Sequence, residues 1–288
     1  MSEENTPREP GPVRTARADG ITTVTLDAPH RRNALSARLM RALYTALEEA
    51  REDPDTRAVL LTHTGNTFCA GADLSEAGAQ QGPTEAPLAL ARLLRTVVEF
   101  PKPVVARVTG HVRAGGTGLL AACDISVAGP GATFAFTEAR IGVAPAVISM
   151  PVLPRVDPRA AARYYLTGER FGPREAARIG LVTLAAEDPP GTGDVAPRDA
   201  DGGGPRGREA VDAALAPVLD GLRRGSPQGL RESKRLAARE VLAAFDRDTG
   251  TLADLSARLF ASAEAREGMT AFLERRDPEW AVRQASAR

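Results

Sequence analysis

The sequence predicts an α/β fold on three observations. Short segments typical of β-strands alternate with longer segments whose apolar residues recur at helical spacing, through the first two thirds of the 288-residue chain. No linker rich in Pro or Gly divides this region, and a hydrophobic content of 43% is enough for a sizeable core. We therefore expect one core domain over residues 19–185.

The first strand and helix follow a polar, Pro-rich segment over residues 1–18, which we expect to be a disordered tail. The segment GITTVTLDAP alternates apolar and polar residues and stops at a proline, so it predicts a strand. The next segment, NALSARLMRALYTALEEARED, predicts an amphipathic helix that ends before Pro54. Its apolar positions recur at i, i+4 spacing: Leu35, Leu39, Leu43 and Leu47.

The middle of the chain continues the alternation. A buried strand is predicted for RAVLLTHTG, a small-residue turn that opens a helix at Asp73 for NTFCAGADLSE, and a flexible loop for SEAGAQQGPTEAP. The segment LALARLLRTVVEF predicts a helix and KPVVARVTGHV a strand. A short helix opened by glycines, a strand at DISVAG and an alternating segment at ATFAFTEARIG complete the core.

The last third of the chain has two parts. Residues 186–208 are of low complexity, dominated by Gly, Pro and Asp, and predict a surface insertion or disordered linker. Residues 209–288 predict a helical region with three helical stretches. The first is interrupted by Pro217, and the second opens with Ser226 as N-cap and Pro227 at the first helical position.

Composition and charge exclude several classes of function. The 37 Lys and Arg residues balance the 37 Asp and Glu residues, so no general basic field would attract nucleic acid or a membrane surface. The three histidines are scattered, and Cys69 and Cys123 lack CxxC spacing, so we expect buried thiols and no metal site. No segment resembles a signal peptide or a spanning helix, which predicts a cytoplasmic protein.

The glycine-rich stretch RAGGTGLLAACD, residues 113–124, is the most informative motif. It fits the G-x-G-x-x-A pattern of dinucleotide folds, but the strand that begins at Ile125 leaves no room for the crossover helix of such a unit. Neither a P-loop nor a G-x-S-x-G elbow is present. Glycines at the start of a helix can instead expose backbone N–H groups to a developing oxyanion, and a second small-residue turn, FCAGADL, could supply another such amide.

The chain resembles the enoyl-CoA hydratase/isomerase family, or crotonase superfamily, in six motifs that follow one another in order. The resemblance runs from about Asp19 to Trp280, apart from residues 186–208, and the ordered set is far more specific than any one motif. The motifs are RRNALS, FCAGADL, GHVRAGGTGLLAACDISVA, FAFTEARIGVAP, LTGERFGPREAARIGLV and EGMTAFLERRDPEW.

The resemblance implies a spiral of ββα units with a C-terminal helical region that assembles a homotrimer or a dimer of trimers. It implies an acyl-CoA thioester as substrate, with coenzyme A part of the substrate and no separate cofactor. The amides of Ala72 and Gly115 would form the oxyanion hole that holds the thioester enolate. Residues that would contact coenzyme A are Arg32, Asn33 and Ala34, the turn at Ala70 and Gly71, and, towards a neighbouring subunit, Phe272 and Arg275.

One departure from the family's pattern bears on the reaction. Hydratases of this family typically carry two glutamates, and this chain has Gly118 in place of the first and Glu138 at the second. We expect an enoyl-CoA hydratase with Glu138 as general acid/base, acting on a branched or carboxylated acyl group similar to methylglutaconyl-CoA. A Δ3,Δ2-enoyl-CoA isomerase that uses the single glutamate, or a non-catalytic acyl-CoA-binding subunit, is the alternative.

Overall fold

The computed structural model of the chain describes residues 11–73, 76, 84–187 and 205–281. These residues form a mixed α/β structure with two sheets. The larger sheet has the strand order β1-β2-β3-β5-β7-β9, in which β1 pairs antiparallel with β2 and the other neighbours are parallel. Its strands are β1 Val13–Ala18, β2 Ile21–Leu26, β3 Ala58–His63, β5 Val104–Val108, β7 Ile125–Ala128 and β9 Leu184–Ala185.

A second, smaller sheet positions the candidate site. Its three parallel strands lie in the order β4, β6, β8 and are only two or three residues long. They are β4 Thr67–Cys69, β6 His111–Arg113 and β8 Phe134–Ala135. Because β4 follows β3 closely and β6 follows β5, each pair turns from the large sheet to the small one, as expected for a spiral of strand pairs with intervening helices.

The helices cover the sheets and form the C-terminal part of the structure. Their apolar faces match the periodic patterns of the sequence, and α1, α5 and α8 have the side-chain N-caps Ser36, Asp157 and Ser226. The helices are α1 Ala37–Glu52, α2 Glu85–Glu99, α3 Gly115–Ala122, α4 Ser149–Val152, α5 Pro158–Thr167, α6 Pro173–Arg178, α7 Pro205–Arg224, α8 Pro227–Ala237, α9 Arg239–Phe260 and α10 Ala263–Glu274.

A buried ion pair fixes the C-terminal helices to the core. The Lys234 Nζ of α8 lies 2.8 Å from Asp124 Oδ2 at the end of α3, and it also donates to the carbonyl oxygens of Val97 and Lys102 at 3.0 and 3.2 Å. Asp124 Oδ2 accepts a further hydrogen bond from the Val104 N–H at 2.7 Å. With every charge neutralised and hydrogen-bonded, the pair joins helix α8 to two separate core segments.

Several predicted boundaries were wrong. The fold begins with β1 at Val13 rather than near Asp19, because an edge strand needs only one paired side and its exposed residues give no apolar pattern. At the other predicted boundary, Ala186 is buried and its N–H donates to the Ala128 carbonyl, and α7 starts at Pro205, so both ends of the 186–208 segment belong to the fold. Residues 188–204 lie outside the described residues, as do residues 1–10 and most of the predicted loop over 75–87.

The helical region differs from the sequence prediction in two respects. Helix α7 continues through Pro217, and the burial of Val211 and Leu215 against the large sheet offsets the hydrogen bond that this proline removes. The second and third predicted stretches form α8, α9 and α10, with breaks at Ala238 and Ser262, so a turn falls inside each of them. Ser226 and Pro227 begin α8 as predicted.

Candidate active site

The candidate residues gather at the carboxyl ends of the small sheet. Ala72 follows β4, Gly115 follows β6 and Glu138 follows β8, each within three residues of the strand end. Because these parallel strands are direct neighbours, their carboxyl ends lie at one edge of the sheet. The topology thus brings together three residues that are separated by up to 66 positions in the chain.

The turn at Gly71 and the start of α3 are in direct contact. A Cβ on Gly71 would lie 2.9 Å from Ala114 Cβ and 3.0 Å from the Gly115 nitrogen, and the Gly71 φ of +94° also disfavours any other residue. A Cβ on Gly115 would lie 3.5 Å from the Ala72 nitrogen. The two backbone nitrogens of the predicted oxyanion hole therefore lie close together, and this approach requires glycine at position 71.

Hydrogen bonds on the opposite side of each peptide group orient these two amides. The carbonyl of Gly71, which shares a peptide group with the Ala72 N–H, accepts a hydrogen bond from the Leu35 N–H at 2.8 Å. The carbonyl of Ala114, which shares a peptide group with the Gly115 N–H, accepts one from the Thr117 N–H at 2.8 Å. In a trans peptide the N–H points opposite to the C=O. Within the described residues, neither N–H donates to any protein acceptor.

Glu138 is a buried carboxylic acid whose charge is poorly compensated. It begins a 3₁₀ turn over Glu138–Ile141, only 8% of it is exposed, and its Oε2 has no hydrogen-bond partner within the described part of the chain. Burial raises the pKa of Glu138 from 4.5 to about 7, while backbone N–H groups at Glu138 and Thr137 lower it by less. A carboxyl group with a pKa near 7 can both accept and donate a proton at neutral pH.

Helix α10 supports the turn that carries Glu138. A Cβ on Gly268 would lie 2.5 Å from the carbonyl carbon of Ile141, so the helix backbone packs directly on the end of this turn. The C-terminal region therefore supports the backbone of the turn that carries Glu138.

The position that the resemblance assigns to the family's first glutamate, Gly118, lies in apolar surroundings. A Cβ on Gly118 would lie 2.5 Å from Ile148 Cγ2 and 3.2 Å from Leu94 Cδ1, so these two side chains occupy the space that a side chain at 118 would need. Both are buried in the main core. Close apolar packing therefore fills the space at position 118; the sequence predicted an absent acid there but not the residue that fills the space.

The predicted coenzyme A wall is a compact turn between β2 and α1. Arg32 is exposed and Ala34 is half-buried. The Arg32 carbonyl accepts a hydrogen bond from the Ala70 N–H at 3.1 Å, which joins this turn to the turn at Gly71. Asn33 is fully buried. Its Nδ2 donates to the Thr67 carbonyl at 2.7 Å and its Oδ1 accepts from the Ala28 N–H at 2.8 Å. The Asn33 side chain therefore shapes the turn, and its contact with coenzyme A stays a prediction.

Phe272 and Arg275 lie together at the end of α10. Phe272 is 58% exposed, so it is not a core aromatic, and Arg275 is the exposed C-cap of the helix. The neighbouring Leu273 is exposed as well. This apolar and basic helix end is available for contact with another subunit or a ligand.

Two residues of this region were missed by the sequence analysis. Thr117 lies inside the glycine motif, and a hydroxyl residue three positions after Ala114 is a recognisable signal for a hydrogen bond to that carbonyl. The ring of Tyr165 in α5 is tilted against that of Phe136 with ring centroids 4.8 Å apart, and its hydroxyl lies 3.3 Å from Ser149 Oγ. Burial raises the pKa of Tyr165 and the Glu138 carboxylate adds to this effect, and no local pattern would have connected these residues.

The described residues hold neither a candidate metal site nor a candidate membrane span. No group of three or more His, Cys, Asp or Glu side chains in that part of the chain could hold a metal ion. Over the same residues, no helix is both long and apolar enough to span a membrane.

Comparisons with known sequences and structures point to one family. A sequence model of the family described as enoyl-CoA hydratase/isomerase matches residues 16–188. The enoyl-CoA hydratase EchA19 of Mycobacterium tuberculosis is 33% identical, with 94% of this chain and 97% of that protein covered. The mevalonyl-coenzyme A hydratase sidH of Aspergillus fumigatus is 30% identical, over 97% of this chain and 98% of that protein. The crystal structure of an enoyl-CoA hydratase from Mycobacterium avium matches with a TM-score of 0.82 at 49% identity, covering 94% of this chain and all of that one (100%).

Proposed function

The chain belongs to the enoyl-CoA hydratase/isomerase family, the crotonase superfamily, and from this premise we propose that it is an enoyl-CoA hydratase that adds water to a 2-enoyl-CoA. The observation that carries the proposal is the placement, at the carboxyl ends of three neighbouring strands, of two backbone N–H groups without an acceptor among the described residues, at Ala72 and Gly115, and of the buried carboxyl group of Glu138. The amides suit the oxygen of a thioester, and the acid suits the proton transfers.

Hydration through this site proceeds by way of an enolate. The thioester oxygen accepts hydrogen bonds from the Ala72 and Gly115 N–H groups, which polarise the conjugated double bond. The Glu138 carboxylate takes a proton from water as the water oxygen bonds to C3, and the electron pair of the double bond moves onto the thioester as an enolate. Protonated Glu138 then delivers the proton to C2, which restores the thioester and the carboxylate. A pKa of about 7 favours both half-reactions at neutral pH.

The apolar packing at Gly118 and the uncompensated charge of Glu138 favour an apolar acyl group. Ile148 and Leu94 fill the space beside Gly118, and no cationic side chain of the described residues contributes to the pKa of Glu138. A carboxylated acyl chain at this point would lack a charge partner and would be costly to desolvate. Of the two acyl classes expected from the sequence, the geometry thus supports a branched or other apolar chain over a carboxylated one.

A double-bond isomerase is the second candidate, and the apolar wall beside Gly118 is the observation that favours it. Because Gly118 offers no second acid to hold water, Glu138 could instead remove a proton from C2 of a 3-enoyl-CoA, which gives a dienolate at the two amides, and return the proton to C4, which leaves the double bond between C2 and C3. The reaction needs the two amides and one acid only.

Assembly is a further part of the proposal. The exposed end of α10, with Phe272 and Arg275, supports contact with the coenzyme A bound by a neighbouring subunit in a homotrimer or a dimer of trimers. Coenzyme A is then part of the substrate, and the chemistry described above requires no separate cofactor.

A panel of 2-enoyl- and 3-enoyl-CoA thioesters tests the proposal. Loss of the conjugated absorbance together with a product heavier by one water would support the hydratase. Gain of conjugated absorbance from a 3-enoyl-CoA at unchanged mass would support the isomerase. If the protein binds acyl-CoA and converts no member of the panel, both enzymatic proposals fail and an acyl-CoA-binding subunit remains.

A further inference from the structure

The buried hydroxyl of Thr117 bonds to the peptide group that carries one of the candidate oxyanion amides. Thr117 lies in the first turn of α3 with no exposed surface (0%). Its Oγ1 donates to the Ala114 carbonyl at 2.6 Å, and its backbone N–H donates to the same oxygen at 2.8 Å. Thr117 therefore donates two hydrogen bonds to the Ala114 carbonyl, which belongs to the same peptide group as the Gly115 N–H.

The backbone at Ala114 needs such a restraint. Ala114 has φ 45° and ψ −123°, a conformation that residues with a side chain rarely adopt. Conformations of this kind cost about 1–3 kcal/mol and persist only where surrounding contacts impose them. Within the described part of the chain, Ala114 makes one other backbone hydrogen bond, which is longer: its N–H donates to the Ala135 carbonyl at 3.3 Å.

We propose that Thr117 is a positioning residue, whose hydroxyl fixes the Ala114–Gly115 peptide group and thereby aims the Gly115 N–H at the thioester oxygen. The inference rests on the proposed function of the site. Because a planar trans peptide rotates as one unit, loss of the hydroxyl lets the Ala114 carbonyl and the Gly115 N–H turn together. An oxyanion donor acts only when it is held in position before the charge develops.

A hydrogen bond from threonine to a preceding carbonyl is common in helices, so a matched control is required. Thr249 in α9 makes the same type of bond, from its Oγ1 to the Phe245 carbonyl, also at 2.6 Å. The carbonyl in that case belongs to a peptide group inside a long helix. Thr249→Val therefore removes a similar bond without affecting the candidate amides.

The kinetic test uses Thr117→Val, which keeps the shape of the side chain, and Thr117→Ser, which keeps the hydroxyl. With the best substrate of the enoyl-CoA panel, Thr117→Val should lower kcat by about tenfold to a hundredfold, a part of the roughly 10²–10³ that one lost oxyanion donor costs. KM should change less than threefold, and Thr117→Ser and Thr249→Val should stay within threefold of the parent in both parameters. Parental kcat in folded Thr117→Val would overturn the proposal.

A variant at Ala114 shows whether the Thr117 hydroxyl orients the Gly115 N–H or only stabilises the strained turn. It also provides a folded protein for the test if Thr117→Val alone misfolds. Ala114→Gly removes the conformational cost, so Ala114→Gly/Thr117→Val should fold with a thermal midpoint close to that of the parent. If the hydroxyl aims the amide, the double variant keeps the kcat defect. If glycine at 114 restores kcat, the hydroxyl only stabilises the turn and the proposal is wrong.

A binding measurement makes the result independent of turnover. Acetoacetyl-CoA forms an enolate with its own ultraviolet band, whereas butyryl-CoA does not ionise under the same conditions. The parent should bind acetoacetyl-CoA with growth of the enolate band, and Thr117→Val should lose about tenfold in this affinity while its affinity for butyryl-CoA stays within threefold. Equal losses for both ligands, or none, would overturn the inference. A parent that shows the enolate band but converts no enoyl-CoA would refute the proposed function alone.

Discussion

Replacing Glu138 by glutamine should make the protein more stable at pH 8 while it removes activity. In the folded chain the pKa of this carboxyl group is about 7, above the 4.5 of an unperturbed glutamate, because the charge is buried. The folded state therefore holds the proton more tightly than the unfolded state. This contribution to stability is complete below pH 4.5 and is lost as the pH rises through 7, where the buried group must ionise.

The magnitude follows from the two pKa values. Their difference corresponds to about 3 kcal/mol of stability that the parent loses between pH 4 and pH 8. Glutamine resembles the protonated acid and does not ionise. The difference in the free energy of unfolding between Glu138→Gln and the parent should thus be about 3 kcal/mol more favourable to the variant at pH 8 than at pH 4.

Denaturant titrations of parent and variant at each pH measure this difference. The comparison is made at a fixed pH because His63 acts in the opposite direction. Burial lowers the pKa of His63 from 6.5 to about 4, so the unfolded state takes up the proton first and stability falls as the pH falls through this window. His63 is present in both proteins, and its effect cancels.

Activity is measured on the same samples. Glu138→Gln should keep its affinity for butyryl-CoA within threefold, whereas kcat should fall by about 10²–10⁴, the usual contribution of a positioned acid/base. Glu175→Gln is the control, since Arg178 and Tyr164 hold the pKa of Glu175 at about 2 and its ion pair stabilises the charged form. That variant should keep kcat and should lose stability at pH 8. If Glu138→Gln keeps parental kcat, or gains nothing at pH 8 over pH 4, the assignment of a buried acid/base is refuted.

Three further predictions concern the core, the space beside Gly118 and assembly. In denaturant titrations, Lys234→Met should lower the free energy of unfolding by about 3–5 kcal/mol because it leaves a buried carboxylate unpaired, whereas Arg235→Met on the exposed side of α8 should change it little. Gly118→Ala should cost about 1–3 kcal/mol, and Ile148→Ala in the same chain should recover part of this; equal costs in both backgrounds would show that the two do not compete for space. Light scattering should give three or six times the 30.3 kDa of one chain, and Phe272→Ala should raise KM for acyl-CoA with little change in kcat; a monomer at micromolar concentration would contradict this assembly.

The strands and helices of the core were predictable because each buries one face and so carries a periodic apolar pattern. This held for β2, α1, β3 and α2. It failed for β1, whose outward side chains are almost all exposed and whose only restraint is the pairing with β2. It also failed for the break between α8 and α9, since Ala238 is buried and neither Gly nor Pro marks the turn. Periodicity reports burial, so elements defined by hydrogen bonding alone do not show in it.

The candidate site was predictable in its chemistry and only partly in its geometry. The glycines and Glu138 could be identified in the motifs, whereas the residue that fills the space beside Gly118 is Ile148, thirty positions further along, and no local signal relates the two. Asn33 has a structural role that the sequence did not reveal. Its side chain bonds to the Ala28 N–H and the Thr67 carbonyl, which only the folded structure brings within reach.

The two candidate amides show where local sequence ceases to be informative. At Gly115 the orienting hydrogen bonds come from Thr117, two positions away, so residues 114–117 carry these bonds and the local sequence indicates them. At Ala72 the orienting bond comes from the Leu35 N–H, and the carbonyl it holds belongs to a segment 36 positions later. That bond exists only because the turn before α1 pairs with the turn after β4 as the chain folds. The orientation of one candidate oxyanion donor is therefore encoded locally and can be changed at one side chain, whereas the orientation of the other depends on contacts that only the fold brings together.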